Sequence, residues 1–500
     1  MEEAIIAIKL GLMYFSSNPQ IFILMTFGVI FGLIFGCIPG LTATLAVSLL
    51  LPFTYKMAAQ QGIAMLIGVY VGGISGGLYG AILLNIPGTP AALVTCFDGY
   101  PMAKKGQVTE ALSLGIFCST MGGIISMFFL AILSPLLAKI ALMFGPYEFA
   151  ALGFMGLGIV VSLTSKSLIK GLIGAVIGVF LSMVGTDPVV SGPRFTFGLW
   201  QLSGGLPLLS TLMGFFAVSE ILSQTANLGV ESSIIKVTKK VPIFPPLELL
   251  KKSVKGIGIS SLIGTWVGIL PGVGQSTGSL LAYNQLQKMS KSPEKFGTGY
   301  FEGVVASETA NNAVCGGALI PMLTLGVPGD LVTAVLLGAL IIQGLEPGPL
   351  LFQKNIDIVG SVFISYFLAN IIMFIVAISC IKIFVRLLRV PTYILYPVIL
   401  VMCVLGTFTI RSRVFDSWVL LLTGVLGYFL RISDFGLPPV ILGFILGPII
   451  EINFRIAMQV SNNDFSPFFT RPIALVLVII SIYQIAMPLI SNIKHKKDKK

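Results

Sequence analysis

The chain has 500 residues, 55% of them hydrophobic and only 10% charged, with a mean hydropathy of +0.98. Soluble proteins carry about 25% charged residues, so this sequence is built for a bilayer, with room for roughly ten to thirteen spans at about 20 apolar residues each. The net charge of +11 does not mark a nucleic-acid partner, because it sits mainly in Lys236, Lys239, Lys240, Lys251, Lys252 and Lys255 and in the tail from Lys494 to Lys500, the positive-inside pattern of cytoplasmic segments.

Met1-Glu2-Glu3 and the short apolar run after them lack a basic leader region and a small-residue cleavage site, so no signal peptide is expected. Apolar stretches then follow at 20–53, 62–86, 110–134, 147–164, 168–185, 205–222, 257–283, 312–345, 357–385, 393–410, 416–430, 437–452 and 472–491. Pro39-Gly40 breaks the first and Pro87-Gly88 ends the second. Pro321 and Pro328-Gly329 fall inside the 312–345 stretch, and each of these prolines marks a place where a helix is expected to stop and restart. The expected fold class is all-α, a polytopic integral membrane protein of about 11–13 transmembrane or re-entrant helical segments.

A repeat runs through this pattern. Gly32 to Gly40, with Gly36, Pro39 and Gly40, aligns without gaps on Gly264 to Gly272, with Gly268 and Pro271. Gly76 to Gly88, ending Asn85-Ile86-Pro87-Gly88, aligns on Gly317 to Gly329, ending Gly326-Val327-Pro328-Gly329. Glycine and proline are abundant here and align easily by accident, but two motif pairs in the same order argue for duplication. The expected organisation is an N-terminal segment 1–19, a first membrane half 20–224, a basic cytoplasmic linker 225–256, a second half 257–491 and a basic cytoplasmic tail 492–500. Duplicated halves with broken helices are the pattern of secondary transporters, whose substrate site forms at the repeat interface. Inverted repeats suit alternating access, with one mobile unit holding the four breaks against a static scaffold, although parallel repeats satisfy the same alignment.

Enzyme chemistry has little to draw on. The only histidine, His495, lies in the tail, and no HExxH, GxSxG or GxxxxGK[ST] string occurs. Cys37, Cys96, Cys118, Cys315, Cys380 and Cys403 are scattered without CxxC spacing and read as free buried thiols. An intramembrane enzyme acting on lipid would need clustered acids that are not apparent, and a non-transporting scaffold or sensor is the remaining alternative. No cofactor is expected, only a coupling Na+ or H+.

The substrate candidates lie at the breaks. Gly28, Gly32, Gly36 and Gly40, echoed by Gly264, Gly268 and Gly272, form a stripe suited to close helix packing. After each Pro-Gly the chain continues with small polar residues: Thr42 and Thr44 after Pro39-Gly40, and Gly274, Gln275, Ser276, Thr277 and Ser279 after Pro271-Gly272. A helix restarting there aims free N–H groups and its positive dipole end at the break, which suits an anion. Asn85, Pro87, Gly88 and Thr89 in one half, and Pro328, Gly329 and Asp330 in the other, expose carbonyls and donors in the same way; with Asn85, Thr89 or Asp330 they offer hard oxygens to sodium, or else form a plain surface loop. Glu308, Asn311 and Asn312, with Glu302 nearby, are costly in an apolar context and are assigned to cation coupling; hydrogen bonding to a substrate, or an interfacial segment with solvated acids, are the alternatives. Glu308 and Asn312 fall on one helix face. Asp98, Asp187, Glu220 and Glu451 read as structural acids, Arg194 being placed to pair with Asp187.

Taken together, these strings resemble the large membrane subunit of the tripartite tricarboxylate transporters, the TctA family. The matching residues include Gly36-Cys-Ile-Pro39-Gly40, Leu50-Leu51-Pro52-Phe53-Thr54, Asn85-Ile-Pro87-Gly88-Thr89-Pro90, Asp98-Gly99-Tyr100-Pro101 and Arg194-Phe195-Thr196-Phe197-Gly198. In the second half they include Gly268-Ile-Leu-Pro271-Gly272, Glu302-Gly303-Val304, Glu308 through Asn311-Asn312-Ala313 and Gly316-Gly317-Ala318-Leu319-Ile320-Pro321. The resemblance spans residues 20 to 490. It implies a permease importing tri- or dicarboxylates with a Na+ or H+ gradient, in a cell inner membrane. It also implies two partners, a small TctB-like membrane subunit and a TctC-like extracytoplasmic solute-binding protein; a homodimer is compatible with the apolar surface. Ser307, Gln275-Ser276-Thr277 and Asp330 depart from the family's pattern. An added acid beside an anion site repels a multiply charged substrate unless it binds the cation, so Asp330 is assigned to the cation or proton.

Overall fold

The computed structural model describes residues 2–164, 167–225, 235, 237, 240–388, 390 and 392–497. Lys236 and Lys239 of the basic linker and the last three residues of the basic tail therefore lie outside the described residues. The first helices are α1 (Glu2–Ser17), α2 (Gln20–Cys37), α3 (Ala43–Thr54), α4 (Ala59–Leu84), α5 (Thr95–Lys104), α6 (Val108–Ala141), α7 (Pro146–Thr164) and α8 (Leu168–Ser182). A two-stranded antiparallel ribbon, β1 (Gly185–Thr186) with β2 (Pro193–Arg194), precedes α9 (Leu208–Met213) and α10 (Ser219–Thr225), which are joined by a π-helical turn. Next come α11 (Leu247–Ile269), α12 (Gly274–Met289), α13 (Phe301–Leu325), α14 (Leu331–Ile342), α15 (Pro349–Lys354) and α16 (Ile356–Ser379). The chain closes with α17 (Ile381–Leu387), α18 (Thr392–Arg411), α19 (Val414–Ile432), α20 (Leu437–Val460), α21 (Ser466–Thr470) and α22 (Pro472–Lys497). Among the described residues, eight helical segments are long and apolar enough to cross a membrane. This is an all-α polytopic membrane protein.

Two differences from the sequence reading have physical causes. Residues 2–17 form a helix whose buried side, Ala4, Ala7, Gly11 and Phe15, is too narrow to register as an apolar stretch; Gly11 packs against the Gly360 backbone of α16. Pro321 does not interrupt its helix. It lies inside α13, and its carbonyl accepts the N–H groups of Gly326 and Val327, so that it builds the helix end five residues later. Elsewhere the breaks fall as expected: α2 ends before Pro39, α11 before Pro271, α4 before Pro87 and α13 before Pro328. Helix α11 begins at Leu247, so Lys251, Lys252 and Lys255 ride on its first turns.

The chain forms two compact units, one from residues 1–138, 224–269 and 274–406, the other from 139–223, 270–273 and 407–500. In the first unit, α4 and α13 are buried from Gly62 to Leu84 and from Gly303 to Thr324. Glycine is what permits this. A Cβ at Gly32 or Gly72 would run into the Val69 or Val29 carbonyl, where α2 and α4 cross almost backbone to backbone. On α11 and α13, Gly268 meets the Val314 carbonyl and Gly317 meets that of Thr265 in the same way. Such approach replaces the hydrophobic drive that is missing between helices in lipid.

The aligned segments also share their ends. Asn85 caps α4 in the left-handed region, φ 59°, with its N–H on the Gly80 carbonyl; Gly326 caps α13 at φ 69°, with its N–H on the Pro321 carbonyl. Beyond each cap, Gly88 lies against the Gly36 carbonyl and Gly329 against the Gly268 carbonyl.

In the second unit, Tyr147, Ala150, Ala457, Met458, Phe468 and Ala474 form a core. Arg194 on β2 binds Glu451 of α20 at 2.5 and 3.0 Å and reaches Asp187 at 3.4 Å, while Arg455 holds Asp187 at 2.7 Å. An apolar cavity of about 540 Å³ lies among residues such as Phe154, Val176 and Phe454, with Ser481 the one polar side chain in its lining.

Candidate functional site

In the first unit, the start of α12 is a meeting point. The Ser276 hydroxyl donates to the Pro90 carbonyl at 2.9 Å, just past the Pro87-Gly88 break. The Gln275 amide donates to Asp330 Oδ2 and, at 3.2 Å, to the Tyr70 hydroxyl; Tyr70 itself donates to Asp330 Oδ2 at 2.5 Å. The helix restart after Pro271-Gly272 is thereby tied to segments following the second break of both halves. Gly274, at φ 72°, opens α12, and a Cβ there would meet open space apart from its own chain neighbours and helix backbone.

Asp330 is also a helix cap. Its Oδ1 accepts the Thr333 N–H and hydroxyl, both at 2.7 Å, and the Thr333 hydroxyl accepts the Asp330 N–H at 2.9 Å. This capping box starts α14. Thr42 performs the simpler form for α3, its hydroxyl accepting the Leu45 N–H at 3.1 Å. Thr44, the second residue of α3, is buried.

Gly40 needs its glycine, with φ at 87° and the Gln224 and Tyr396 side chains 3.1 and 3.2 Å from a would-be Cβ. Gly272, in the second unit, faces Val160 and Leu442. Pro39 and Pro87 are half-buried, Pro271 and Pro328 buried, and Asn85 exposed.

Two turns into α13 lies a second polar cluster. Glu308 is fully buried and accepts the Thr95 hydroxyl on Oε1 at 2.5 Å and the Ser119 hydroxyl on Oε2 at 2.7 Å; Thr95 also lies 3.0 Å from the Ser307 hydroxyl. Asn312 donates to the Glu308 carbonyl at 3.1 Å and accepts the Ser75 hydroxyl at 2.7 Å, while its own carbonyl receives Tyr366 at 3.0 Å. Glu308 is met by neutral hydroxyls, and a carboxylate so placed is expensive to bury charged without a cation. Among the described residues, neither amide atom of the fully buried Asn311 side chain has a hydrogen-bond partner, and the buried Thr89 hydroxyl likewise has none.

The remaining acids are structural. Asp98 accepts Tyr283 and the N–H groups of Gly297, Gly299 and Tyr300, at 2.7 to 3.1 Å. Glu220 pairs with Arg431 at 2.5 Å. The Asp187 carboxyl is held well below the ordinary carboxylate range, first by the Val190 N–H and then by Arg455. Among the described residues, no group of three or more His, Cys, Asp or Glu side chains is placed to hold a metal.

Of the residues singled out in the sequence, Gln275, Ser276 and Asp330 come together at the start of α12, and Glu308 and Asn312 in the α13 cluster. Sequence reasoning missed Tyr70, Ser75, Thr95, Ser119 and Tyr366, single hydroxyls inside long apolar helices, each of which looks like tolerated polarity until its partner from another helix is known.

A helical membrane protein with broken helices converging on a small polar centre defines a membrane transport component. The chain belongs to the tripartite tricarboxylate transporter TctA family, whose model matches residues 22–442. It is 35% identical, over 84% of its own length and 83% of the relative's, to an uncharacterized 52.8 kDa protein in the TAR-I ttuC' 3' region of Agrobacterium vitis. It is 34% identical, over 47% of its length and 97% of the relative's, to an uncharacterized protein in the TAR-II ttuC' 3' region of the same organism. No solved structure matches it significantly.

Proposed function

We propose that the chain is the permease subunit of a secondary active transporter that imports an organic carboxylate anion, a tri- or dicarboxylate, using a Na+ or H+ gradient. The observation that carries this reading is the start of α12, held to Pro90 by Ser276 and to Asp330 by Gln275 beside the open space at Gly274. No lysine or arginine occurs in the four break segments, 36–44, 85–92, 268–279 and 325–333. An anion bound there rests on backbone N–H groups, hydroxyls and the helix dipole.

With no fixed cation to balance it, the anion needs a co-transported positive charge. Glu308, Asp330, Asn311 and Asn312 are the coupling candidates, with Glu308 the one whose partners are hydroxyls able either to donate or to accept. Family membership supports a small membrane subunit and an extracytoplasmic binding protein as partners and an inner-membrane location, and the basic tail supports a cytoplasmic C-terminus. The test is counterflow of labelled citrate and succinate in liposomes holding the purified protein, with its binding protein supplied. Exchange stimulated by a sodium or proton gradient supports the reading; no exchange with any organic acid removes it.

A further inference from the structure

Two helices of the first unit fix the surroundings of Asn311. On α12, Ser279 donates to the Ser307 carbonyl of α13 at 3.2 Å, and one turn earlier Gln275 lies beside Cys315, which also neighbours Tyr70 and Asp330. On α13, residues 307, 311 and 315 succeed one another at four-residue spacing and share a face. Asn311 thus lies in register between two contacts of α13 with the first turns of α12. The residue is 0% exposed and, among the described residues, neither amide atom has a partner.

A buried amide with no hydrogen-bond partner loses its hydration without recompense. Leucine, with the same branched four-atom outline and no polar atoms, would carry no such desolvation cost at this position. On the adjacent segment, Thr89 is 2% exposed with its hydroxyl also unbonded, one residue before the Pro90 carbonyl that Ser276 grips. Two polar groups, one on the segment that Ser276 grips and one at the centre of α13, are therefore buried without a partner among the described residues, the Thr89 hydroxyl lying against Gly77 of α4.

We infer that Asn311 and Thr89 are ligand-contacting residues of the α12 site, the Asn311 amide and the Thr89 hydroxyl donating to carboxylate oxygens of the bound anion. This rests on the transport reading and moves Asn311 from the coupling cation to the substrate. A carboxylate oxygen accepts both kinds of donor, and the α12 N–H groups supply the rest of the anion's partners.

The experiment is thermal denaturation of purified wild-type protein, Asn311→Leu and Thr89→Val, each with and without citrate or succinate at fixed sodium. A ligand that binds the folded state raises apparent stability. Wild type is expected to shift upward with at least one anion. Asn311→Leu is expected to melt at or above the wild-type temperature without ligand and to lose the anion-dependent shift, and Thr89→Val to keep its basal temperature with a shift reduced by half or more. A lower basal melting temperature for Asn311→Leu together with an intact anion shift in both variants would overturn the inference, because both groups would then be structural. No shift in wild type contradicts the transport reading itself; in that case the basal temperatures still decide whether Asn311 is an unsatisfied group, a drop in the leucine variant counting against it.

Discussion

The Ser276 hydroxyl and the Pro90 carbonyl, 186 residues apart in the chain, are joined by a 2.9 Å hydrogen bond. It links the helix that restarts after Pro271-Gly272 to the chain leaving Pro87-Gly88, and so places an exposed helix start beside a broken backbone. Ser276→Val removes one neutral hydrogen bond at a partly accessible position, a loss of about 0.5–1.5 kcal/mol. The variant is expected to insert and fold while the half-saturating carboxylate concentration rises several-fold, measured by concentration-dependent counterflow.

The glycine crossings make equal demands in both aligned segments. Gly32→Leu and Gly268→Leu both drive a side chain into a carbonyl of the facing helix, and overpacking of this kind costs about 1–3 kcal/mol or more. Both variants are expected to melt well below wild type in detergent. Gly192→Ala, where nothing lies within 4 Å of the added carbon, is the control expected to leave the melting temperature unchanged.

Glu308 and Asp330 are separable by substitution. Glu308→Gln keeps the shape of the side chain and a hydrogen-bonding role toward Thr95 and Ser119, but it cannot take up a proton or neutralise a cation. Exchange without a gradient is expected to survive and gradient-driven accumulation to disappear, read by comparing counterflow with net uptake. Asp330→Asn retains an oxygen to cap α14. If it keeps full gradient coupling, Asp330 is a cap and an anchor for Gln275 and Tyr70, and its assignment to the cation is lost.

Acid should weaken the second unit through Asp187. Its carboxyl is depressed by the Val190 N–H and by Arg455, so the stabilisation it gives is fully present above the ordinary carboxylate range and fades as pH falls through that range toward the depressed value. Wild-type melting temperature is expected to decline between pH 5 and pH 3, roughly the window in which ordinary carboxyls titrate. Asp187→Asn should start lower at neutral pH and decline less. Parallel curves would show that Asp187 contributes nothing to the acid sensitivity.

Much of the helical outline was legible because proline and glycine act locally: a missing N–H or a left-handed φ ends a helix wherever it sits, as at Asn85 and Gly326. Pro321 is the instructive exception, since its neighbours within buried α13 outweigh the local penalty. The candidate site was half legible. Gln275 and Asp330 stand out as polar residues next to breaks, whereas the roles of Tyr70 and Thr95 exist only through partners more than 200 residues away. Asn311 was visible as a costly amide, but its direction depends on which face of α13 meets α12, and no spacing rule supplies that.

Net uptake of labelled citrate and succinate into liposomes, under an imposed sodium or proton gradient and with the binding protein outside, tests gradient-coupled carboxylate transport most directly. Accumulation above the external concentration that collapses with the matching ionophore is the expected result. Uptake that stops at equilibrium under every gradient, or none at all, would contradict it.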